Sequence, residues 1–386
     1  MARNILSPSI EDQSIVQTFF IPNEQLPFSQ YIEACRALIT ERRQDLSGTP
    51  EQVERIIDAN TPFELRPAAG TRSRYGALLI HGLFDCPFSH RDLGEKLQAK
   101  GIFCRSILLP GHGTRPSDLL HITYHDWLQT VRYGIKKLRE EADEIILVGF
   151  STGATLSIYH ALQDSHIAGI ILLAPAIRIK APVDAMIHWQ YLTRWLHTRK
   201  KWIIRAKEVD YVKYHSLPFN PVFQLSKLID AIDERHSTHP LTCPVFMTVS
   251  TEDETISSQA AMNFFTGLSN PKNRLLQYTT TPDSNTTDTR ILSRNSIYPA
   301  LHIDNFSHMA IPFKPDNFHY GTQGDYPYAP HSNNKSCVYG AYNRIEVYVC
   351  NKLYKLGILK NRKRELTYNP DFEFTSQQII DFIERL

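Results

Sequence analysis

The chain of 386 residues carries 42 lysines and arginines against 40 aspartates and glutamates, which gives a formal net charge of +2. This balance provides no electrostatic argument for nucleic-acid binding, which usually depends on a concentrated basic surface. Hydrophobic residues make up 42% of the chain and charged residues 21%, as in ordinary soluble globular proteins. A chain of this length can bury a large core, so we expect one large α/β domain with insertions, or two domains.

The N-terminal residues lack the apolar core of a signal peptide, and no run approaches the length of a transmembrane helix. We therefore expect a cytoplasmic location by default, while export without a cleaved signal would leave no trace in these patterns. The six cysteines are scattered without a C-x-x-C pair. Their spacing predicts buried or free thiols rather than a disulfide framework.

The first seventy residues are predicted to form a helical prefix. The run Thr49-Pro50-Glu51-Gln52 is typical of a helix start, with Thr49 as the cap and Gln52 three residues later. From residue 75 onward, strands alternate with helices, which is the signature of a parallel sheet covered by helices. The predicted strands are 76–80, 102–109, 144–148 and 168–173, and the predicted helices are 90–100, 124–140 and 154–162.

A Gly-x-Ser-x-Gly pentapeptide, Gly149-Phe150-Ser151-Thr152-Gly153, lies between the third of these strands and the helix that follows. A strand that turns sharply into a helix through this pattern holds the serine hydroxyl on a strained, exposed corner. The glycines are required because no side chain fits where the strand and the helix nearly touch. We therefore predict that Ser151 is a nucleophile.

Residues 177–239 interrupt the alternation with a helical, aromatic and basic pattern that lacks strand character. We expect this insertion to lie as a cap above Ser151. Its aromatic residues either form an apolar roof over a substrate or simply pack against the body of the protein. Its basic stretch is expected to be a solvated helix face, with a surface for membranes or acidic groups as the alternative. The aromatic residues are Trp189, Tyr191, Trp195, Trp202 and Tyr211.

The second half of the chain is predicted to complete the sheet and to end in two helices. The last helix is predicted to open at Thr375, with Gln378 completing a capping box and Ile379, Ile380 and Ile383 on one face. The other predictions are a strand at 244–249, a helix at 257–267, a strand at 274–279, a loop at 280–295, a last strand at 297–303 and a long ordered loop at 313–340.

A serine nucleophile needs a histidine that accepts its proton and a carboxylate that orients the histidine. On a parallel sheet these partners follow in the order serine, acid, histidine. Asp253, which follows the strand at 244–249, is the predicted acid, and a helix N-cap is its structural alternative. Glu252 and Glu254 are close rivals for the same role.

His308 is the predicted base, because it follows the last predicted strand and a loop there can return over the sheet edge. The other histidines near this region are less suitable. His302 is expected to be a packed side chain within the strand, whereas His319 and His331 lie in the long loop without a strand to position them.

The oxyanion that forms during acyl transfer needs two backbone N–H donors. Thr152, directly after the nucleophile, is one predicted donor. Leu83 is the other, because Gly82 allows the loop after an early strand to bend toward the serine. His81 is expected to brace this loop. His112, between two glycines, has no second ligand at metal spacing and is expected to lie in a tight turn.

These motifs occur together in an order that resembles one enzyme family. They are Ile80-His81-Gly82-Leu83-Phe84-Asp85, Leu109-Pro110-Gly111-His112-Gly113-Thr114, Asp126-Trp127, the serine pentapeptide, the Asp253 segment and Ser307-His308. Over roughly residues 62–321 the chain resembles an α/β-hydrolase of the bacterial carboxylesterase and monoacylglycerol-lipase-like branch. The resemblance implies that Ser151, Asp253 and His308 are the triad and that Leu83 and Thr152 form the oxyanion hole.

The resemblance also implies the α/β-hydrolase fold, a mostly parallel central sheet flanked by helices. We divide the chain into a helical N-terminal extension (1–70), an α/β-hydrolase core (71–176 and 240–386) and a helical cap insertion (177–239). Ala154 stands where many relatives have a third glycine. The prefix, residues 280–295 and the region beyond residue 321 have no clear counterpart in compact relatives.

The leading functional hypothesis is a serine esterase for carboxylic esters with an apolar acyl group, such as acylglycerols or lysophospholipids. No metal or organic cofactor is required, no nucleic-acid partner is expected, and transient membrane contact through the cap is left open. A peptidase or amidase would use the same triad. A non-catalytic module that binds a lipid or a protein is the third hypothesis, and the oligomeric state is not predicted.

Overall fold

The computed structural model describes residues 19–68, 72–180, 201–282, 287–330, 336–342 and 344–386. A central sheet of eight strands dominates it. The strands of the described residues are β1 (Glu64–Leu65), β2 (Ser73–Ile80), β3 (Phe103–Ile107), β4 (Ala142–Phe150), β5 (Ile167–Leu173), β6 (Trp202–Ile204), β7 (Leu217–Pro218), β8 (Val245–Ser250), β9 (Arg274–Thr279), β10 (Ile291–Asn295), β11 (Cys337–Gly340) and β12 (Arg362–Glu365).

Helices surround this sheet and connect most of its strands. They are α1 (Phe28–Arg42), α2 (Pro50–Asn60), α3 (Arg91–Ala99), α4 (Tyr124–Arg139), α5 (Thr152–Ala161), α6 (Phe219–His236), α7 (Ser258–Thr266), α8 (Arg344–Lys355) and α9 (Phe372–Glu384). No helix among the described residues combines the length and the apolar character needed to cross a bilayer.

The strand order of the main sheet is β1-β3-β2-β4-β5-β8-β9-β10. All neighbouring pairs are parallel except β1 with β3. The central strands are continuously apolar and buried, since helices cover both faces of a parallel sheet. β4 lies near the middle, so the residues that follow it meet the carboxyl ends of its neighbours at one edge. The predicted architecture, a mostly parallel central sheet flanked by helices, is confirmed by this topology.

The N-terminal helices are fixed to the body of the protein. The predicted capping box at the start of α2 is present, with Thr49 accepting the backbone N–H of Gln52. In α1, the buried hydroxyl of Tyr31 donates to the Leu108 carbonyl at 3.1 Å and accepts the Leu108 N–H at 3.0 Å. The proposed boundary at residue 70 therefore separates segments that share one core.

The predicted loop at 280–295 is wrong in its last part. Residues Ile291–Asn295 form β10, which pairs in parallel with β9 and ends the sheet. An edge strand needs fewer apolar residues than a central one, because one of its sides is not covered by another strand. Its polar composition therefore concealed the strand.

The predicted strand at 297–303 is also wrong. A 3₁₀ turn occupies Pro299–Leu301, and His302 follows it with a φ of 55°. The side chain of His302 is exposed, not packed as expected. Only Tyr298 and Ile303 retain a β-type contact with each other.

The insertion at 177–239 contains strand structure that its sequence did not predict. β6 and β7 form a short antiparallel pair before the long helix α6. Trp202 lies in β6, where Arg205 stacks on its ring at 5.0 Å. Three other residues of the expected roof, Trp189, Tyr191 and Trp195, lie outside the described residues. The cap therefore stays a prediction.

The last helix begins three residues before the predicted capping box. Its N-cap is Asp371, whose carboxylate receives two hydrogen bonds from Arg294. Thr375 lies inside the helix, where its hydroxyl bonds the Tyr278 hydroxyl at 2.7 Å. Tertiary contacts to Asp371 therefore set the start of α9. The expected apolar face is correct, since Ile379, Ile380 and Ile383 are all buried.

Candidate active site

Ser151 occupies the corner between β4 and α5 with a φ of 53°, which is rare for a residue with a side chain. The surrounding glycines explain how the corner is reached. A Cβ on Gly153 would lie 1.9 Å from the Ile80 carbonyl oxygen, and one on Gly149 would lie 2.3 Å from the backbone nitrogen of Ala154. The strand and the helix therefore approach as closely as the pentapeptide predicted.

Asp253 and His308, 55 residues apart in the chain, are in direct contact. The Nδ1 atom of His308 lies 2.7 Å from Oδ2 of Asp253, and both side chains are buried. The other carboxylate oxygen of Asp253 accepts the backbone N–H groups of Thr255 and Ile256. The carboxylate thus orients the imidazole and also braces its own turn, whereas the N-cap of the following helix, the alternative role for Asp253, is Ser257.

The two glutamates beside Asp253 have other partners. Glu252 accepts hydrogen bonds from the backbone N–H and hydroxyl of Thr280, both at 2.9 Å. Glu254 accepts the backbone N–H of His308 at 3.1 Å. The structure therefore brings Asp253, rather than either rival, to the imidazole ring.

The ring of His308 lies next to the nucleophile corner. Its centroid is 5.0 Å from that of Phe150, the residue directly before Ser151. Within the described residues, the Ser151 hydroxyl makes no hydrogen bond with His308. Such contacts are often long in a site without substrate and shorten when substrate binds.

The predicted oxyanion loop contacts the same corner. A Cβ on Gly82 would lie 3.3 Å from the Cβ of Ser151, so the chain passes directly over the serine. Among the described groups, the backbone N–H of Leu83 and that of Thr152 have no acceptor. Neither N–H is therefore occupied within the described groups, which is a condition for the predicted oxyanion hole.

His81 holds this loop in place, as expected, and His112, which was expected only to lie in a tight turn, also holds it. His81 accepts the Leu109 N–H at 3.0 Å, and His112 accepts the Phe84 N–H at 3.2 Å. Burial lowers the pKa of His81 to about 3, so its ring is neutral. A neutral ring with both nitrogens engaged braces two loops and transfers no proton.

His319, a rival base in the sequence, is engaged by carboxylates on both ring nitrogens. Asp210 lies 2.9 Å from Nε2, and Asp325 contacts Nδ1. The ring therefore has no nitrogen left to accept a proton from a serine. His331, the other rival from the long loop, lies outside the described residues.

A third carboxyl group near His308 was not predicted. Glu365, at the end of β12, interacts electrostatically with His308, Lys213 and Glu254. Burial raises the pKa of Glu365, and burial with the charges of Asp253 and Glu365 raises the pKa of Glu254 to about 8. No motif marks Glu365, because the short strand that carries it is basic and follows the histidine by more than fifty residues.

Comparisons with known proteins show which family the central part of the chain resembles. A family model described as "Serine aminopeptidase, S33" matches residues 73–281. A thermostable monoacylglycerol lipase from Bacillus sp. (strain H-257) is 29% identical over 202 residues, which cover 52% of this chain and 80% of the lipase.

Solved structures also resemble the chain over its central part. One comes from a study of LipS and LipT, two metagenome-derived lipolytic enzymes, with a TM-score of 0.49, 23% identity, and coverage of 57% of this chain and 86% of that chain. Another is a soluble variant of the monoglyceride lipase from Saccharomyces cerevisiae, with a TM-score of 0.47, 14% identity, and coverage of 57% and 82%.

Proposed function

The chain belongs to the S33 serine aminopeptidase family of α/β-hydrolases, and we propose that it hydrolyses carboxylic esters through an acyl-enzyme on Ser151. The contact between His308 and Asp253, at the edge of the sheet where Ser151 turns into its helix, carries the proposal. A serine, a histidine and a buried carboxylate in this order are the parts that acyl transfer needs.

In the proposed mechanism, the Ser151 hydroxyl attacks the acyl carbon while Nε2 of His308 accepts its proton. Asp253 holds the Nδ1–H of the ring and stabilises the imidazolium that forms. The N–H groups of Leu83 and Thr152 stabilise the negative charge on the carbonyl oxygen. His308 then protonates the leaving alcohol, and a water molecule activated by the same ring releases the acid.

A lipase relative and the family description indicate the substrate class. The relative at 29% identity is a monoacylglycerol lipase, so an acylglycerol or a similar ester with an apolar acyl chain is the preferred substrate. The family description favours one second candidate, the cleavage of an amide by a peptidase. Ester and amide analogues with the same acyl group separate the two, and we expect faster release from the ester.

The proposal is tested with Ser151→Ala, using hydrolysis of p-nitrophenyl esters of increasing chain length and labelling by a fluorophosphonate probe. We expect both signals to disappear. Ser157→Ala is a matched control, because its hydroxyl lies in the same helix and bonds only the Gly153 carbonyl at 2.8 Å. Wild-type turnover or labelling in Ser151→Ala would disprove the mechanism, and the absence of turnover in the parent protein would favour a non-catalytic binding module.

A further inference from the structure

The segment from α8 into β12 exposes an unusual group of large apolar side chains. Tyr348 is 60% exposed, Val349 45%, Leu356 72% and Ile358 64%. They include the three most exposed large hydrophobic residues of the described chain. We call residues 348–363 the basic apolar tip. Apolar groups concentrated on a surface mark a site that is covered by something else.

The charged residues of this region are almost all positive. Between residues 344 and 364 the chain carries seven lysines and arginines and a single acidic residue, Glu346. The chain as a whole is nearly neutral, so this is a local concentration of positive charge. Two of the lysines, Lys352 and Lys355, are exposed on α8 beside the apolar side chains.

Four of the exposed residues of α8 share one face, whereas Arg344 and Glu346 are exposed near its start. Tyr348, Val349, Lys352 and Lys355 follow helical spacing, and all four are exposed. On the other side, partly buried residues such as Tyr354 face β12, the strand on which the helix packs. This helix therefore uses one side for folding and leaves an amphipathic side open.

The end of α8 fixes the direction of the two most exposed side chains. Gly357 has a φ of 71°, and its N–H bonds the Tyr354 carbonyl at 3.0 Å. The Ile358 N–H bonds the Leu353 carbonyl at 2.9 Å. This pair of bonds is the Schellman arrangement, which usually buries the apolar residue after the glycine. Here Ile358 and the neighbouring Leu356 remain exposed.

We propose that the basic apolar tip binds the surface of an anionic membrane, with Leu356 and Ile358 inserted among the lipids and the surrounding lysines and arginines at the headgroups. Exposed aliphatic groups next to the exposed Lys352, Lys355 and Lys360 match both parts of such an interface. A nucleic acid would satisfy the charge but not the aliphatic side chains. The proposal goes beyond ester hydrolysis and does not depend on it.

The basic apolar tip is connected to the candidate active site by a short stretch of chain. β12 ends at Glu365, and the next residue, Leu366, accepts a hydrogen bond from the hydroxyl of Ser307, the neighbour of His308. Ile358 and Glu365 are seven positions apart in the chain, so the distance between them is at most about 25 Å. Membrane binding through the tip therefore keeps the site close to the lipid surface.

The test is sedimentation of the full chain with vesicles of phosphatidylcholine alone or mixed with phosphatidylglycerol. We expect binding to the mixed vesicles only. Leu356→Ser with Ile358→Ser should weaken this binding at least tenfold, and Lys352→Gln with Lys355→Gln should do so by about fivefold per lysine. Equal melting temperatures of all variants verify that these exposed substitutions leave the fold intact.

Two matched controls are available. Leu292→Ser with Leu301→Ser removes exposed aliphatic groups elsewhere, and Lys100→Gln with Lys272→Gln removes exposed positive charge elsewhere. Both should bind like the parent protein. The proposal is overturned if the parent protein does not bind anionic vesicles, or if a control pair loses as much binding as its test pair. It is also overturned if Leu356→Ser with Ile358→Ser leaves binding unchanged. The last result would assign the surface to polyanions in general.

Discussion

At the scale of single residues, His308 is held at two points by neighbouring carboxyl groups. Its ring is bound by Asp253 at 2.7 Å, and its backbone N–H is bound by Glu254 at 3.1 Å. The sequence could not separate these roles, because three consecutive acidic residues follow the same strand. A difference of one residue in a tight turn decides which carboxylate reaches the ring.

This arrangement predicts different results for two conservative substitutions. Asp253→Asn should lower kcat by about four orders of magnitude, because an amide no longer holds the ring in the tautomer that accepts a proton. Glu254→Gln should change kcat less than about tenfold, since a raised pKa of about 8 already keeps this carboxyl protonated at neutral pH.

Steady-state kinetics on a water-soluble ester provide the measurement. Circular dichroism of both variants provides the control for folding. A larger loss in Glu254→Gln than in Asp253→Asn would show that the acid is Glu254.

At the scale of elements, a partly buried ion network connects three segments that are distant in sequence. His319 of the long loop lies between Asp210 of the insertion and Asp325, and Tyr320 donates to Asp210 at 2.6 Å. Arg55 of α2 also pairs with Asp325. The insertion, the C-terminal loop and the N-terminal prefix are therefore fixed to each other around one imidazole.

The network predicts a specific dependence of stability on pH. Burial alone would lower the pKa of His319, but its hydrogen bonds to Asp210 and Asp325 outweigh this and raise it. The contribution of protonated His319 to the stability of the folded protein is therefore complete below the pKa of histidine in the unfolded chain, about 6.5. It is lost as the pH rises through the higher pKa of His319 in the folded protein.

His319→Gln should destabilise the protein by about 3–5 kcal/mol below that pH, because Asp210 stays buried without its cation. Thermal unfolding over a pH series measures this difference, which should shrink on the alkaline side. His302→Gln, an exposed histidine, serves as the control. A pH-independent difference would contradict a charged His319.

At the scale of the whole molecule, the N-terminal prefix is part of the core. Tyr31 is fully buried, contacts the rings of Phe28 and Tyr133, and binds both backbone groups of Leu108 directly after β3. Arg42 and Asp118 form a buried ion pair at 2.7 Å nearby. The prefix thus satisfies polar groups that the sheet would otherwise leave unpaired.

Tyr31→Ala should therefore destabilise the entire protein by about 3–5 kcal/mol, the usual cost of removing a buried aromatic ring. Tyr31→Phe is the matched variant, which keeps the ring. Its free energy of unfolding should fall by about 1–3 kcal/mol, because the backbone groups of Leu108 lose their hydrogen-bond partner. Urea unfolding followed by fluorescence measures both. An unchanged midpoint in Tyr31→Ala would mean that the prefix is an independent unit.

The sequence by itself determined the central strands, the corner at Ser151 and the order of the candidate triad. These features depend on local properties, such as continuous apolar runs and glycines where backbones touch, as at Gly153. The start of α9 and the edge strand β10 were missed, because Arg294, which binds the N-cap Asp371, and the partner strand β9 act from elsewhere in the chain.

Only the tertiary structure decided which carboxylate meets His308, that Glu365 lies near it, and that the end of α8 exposes apolar and basic groups together. Each of these depends on distances between segments far apart in the chain. Residue type and spacing predict what a segment can form. The packing of the other segments determines what its side chains contact.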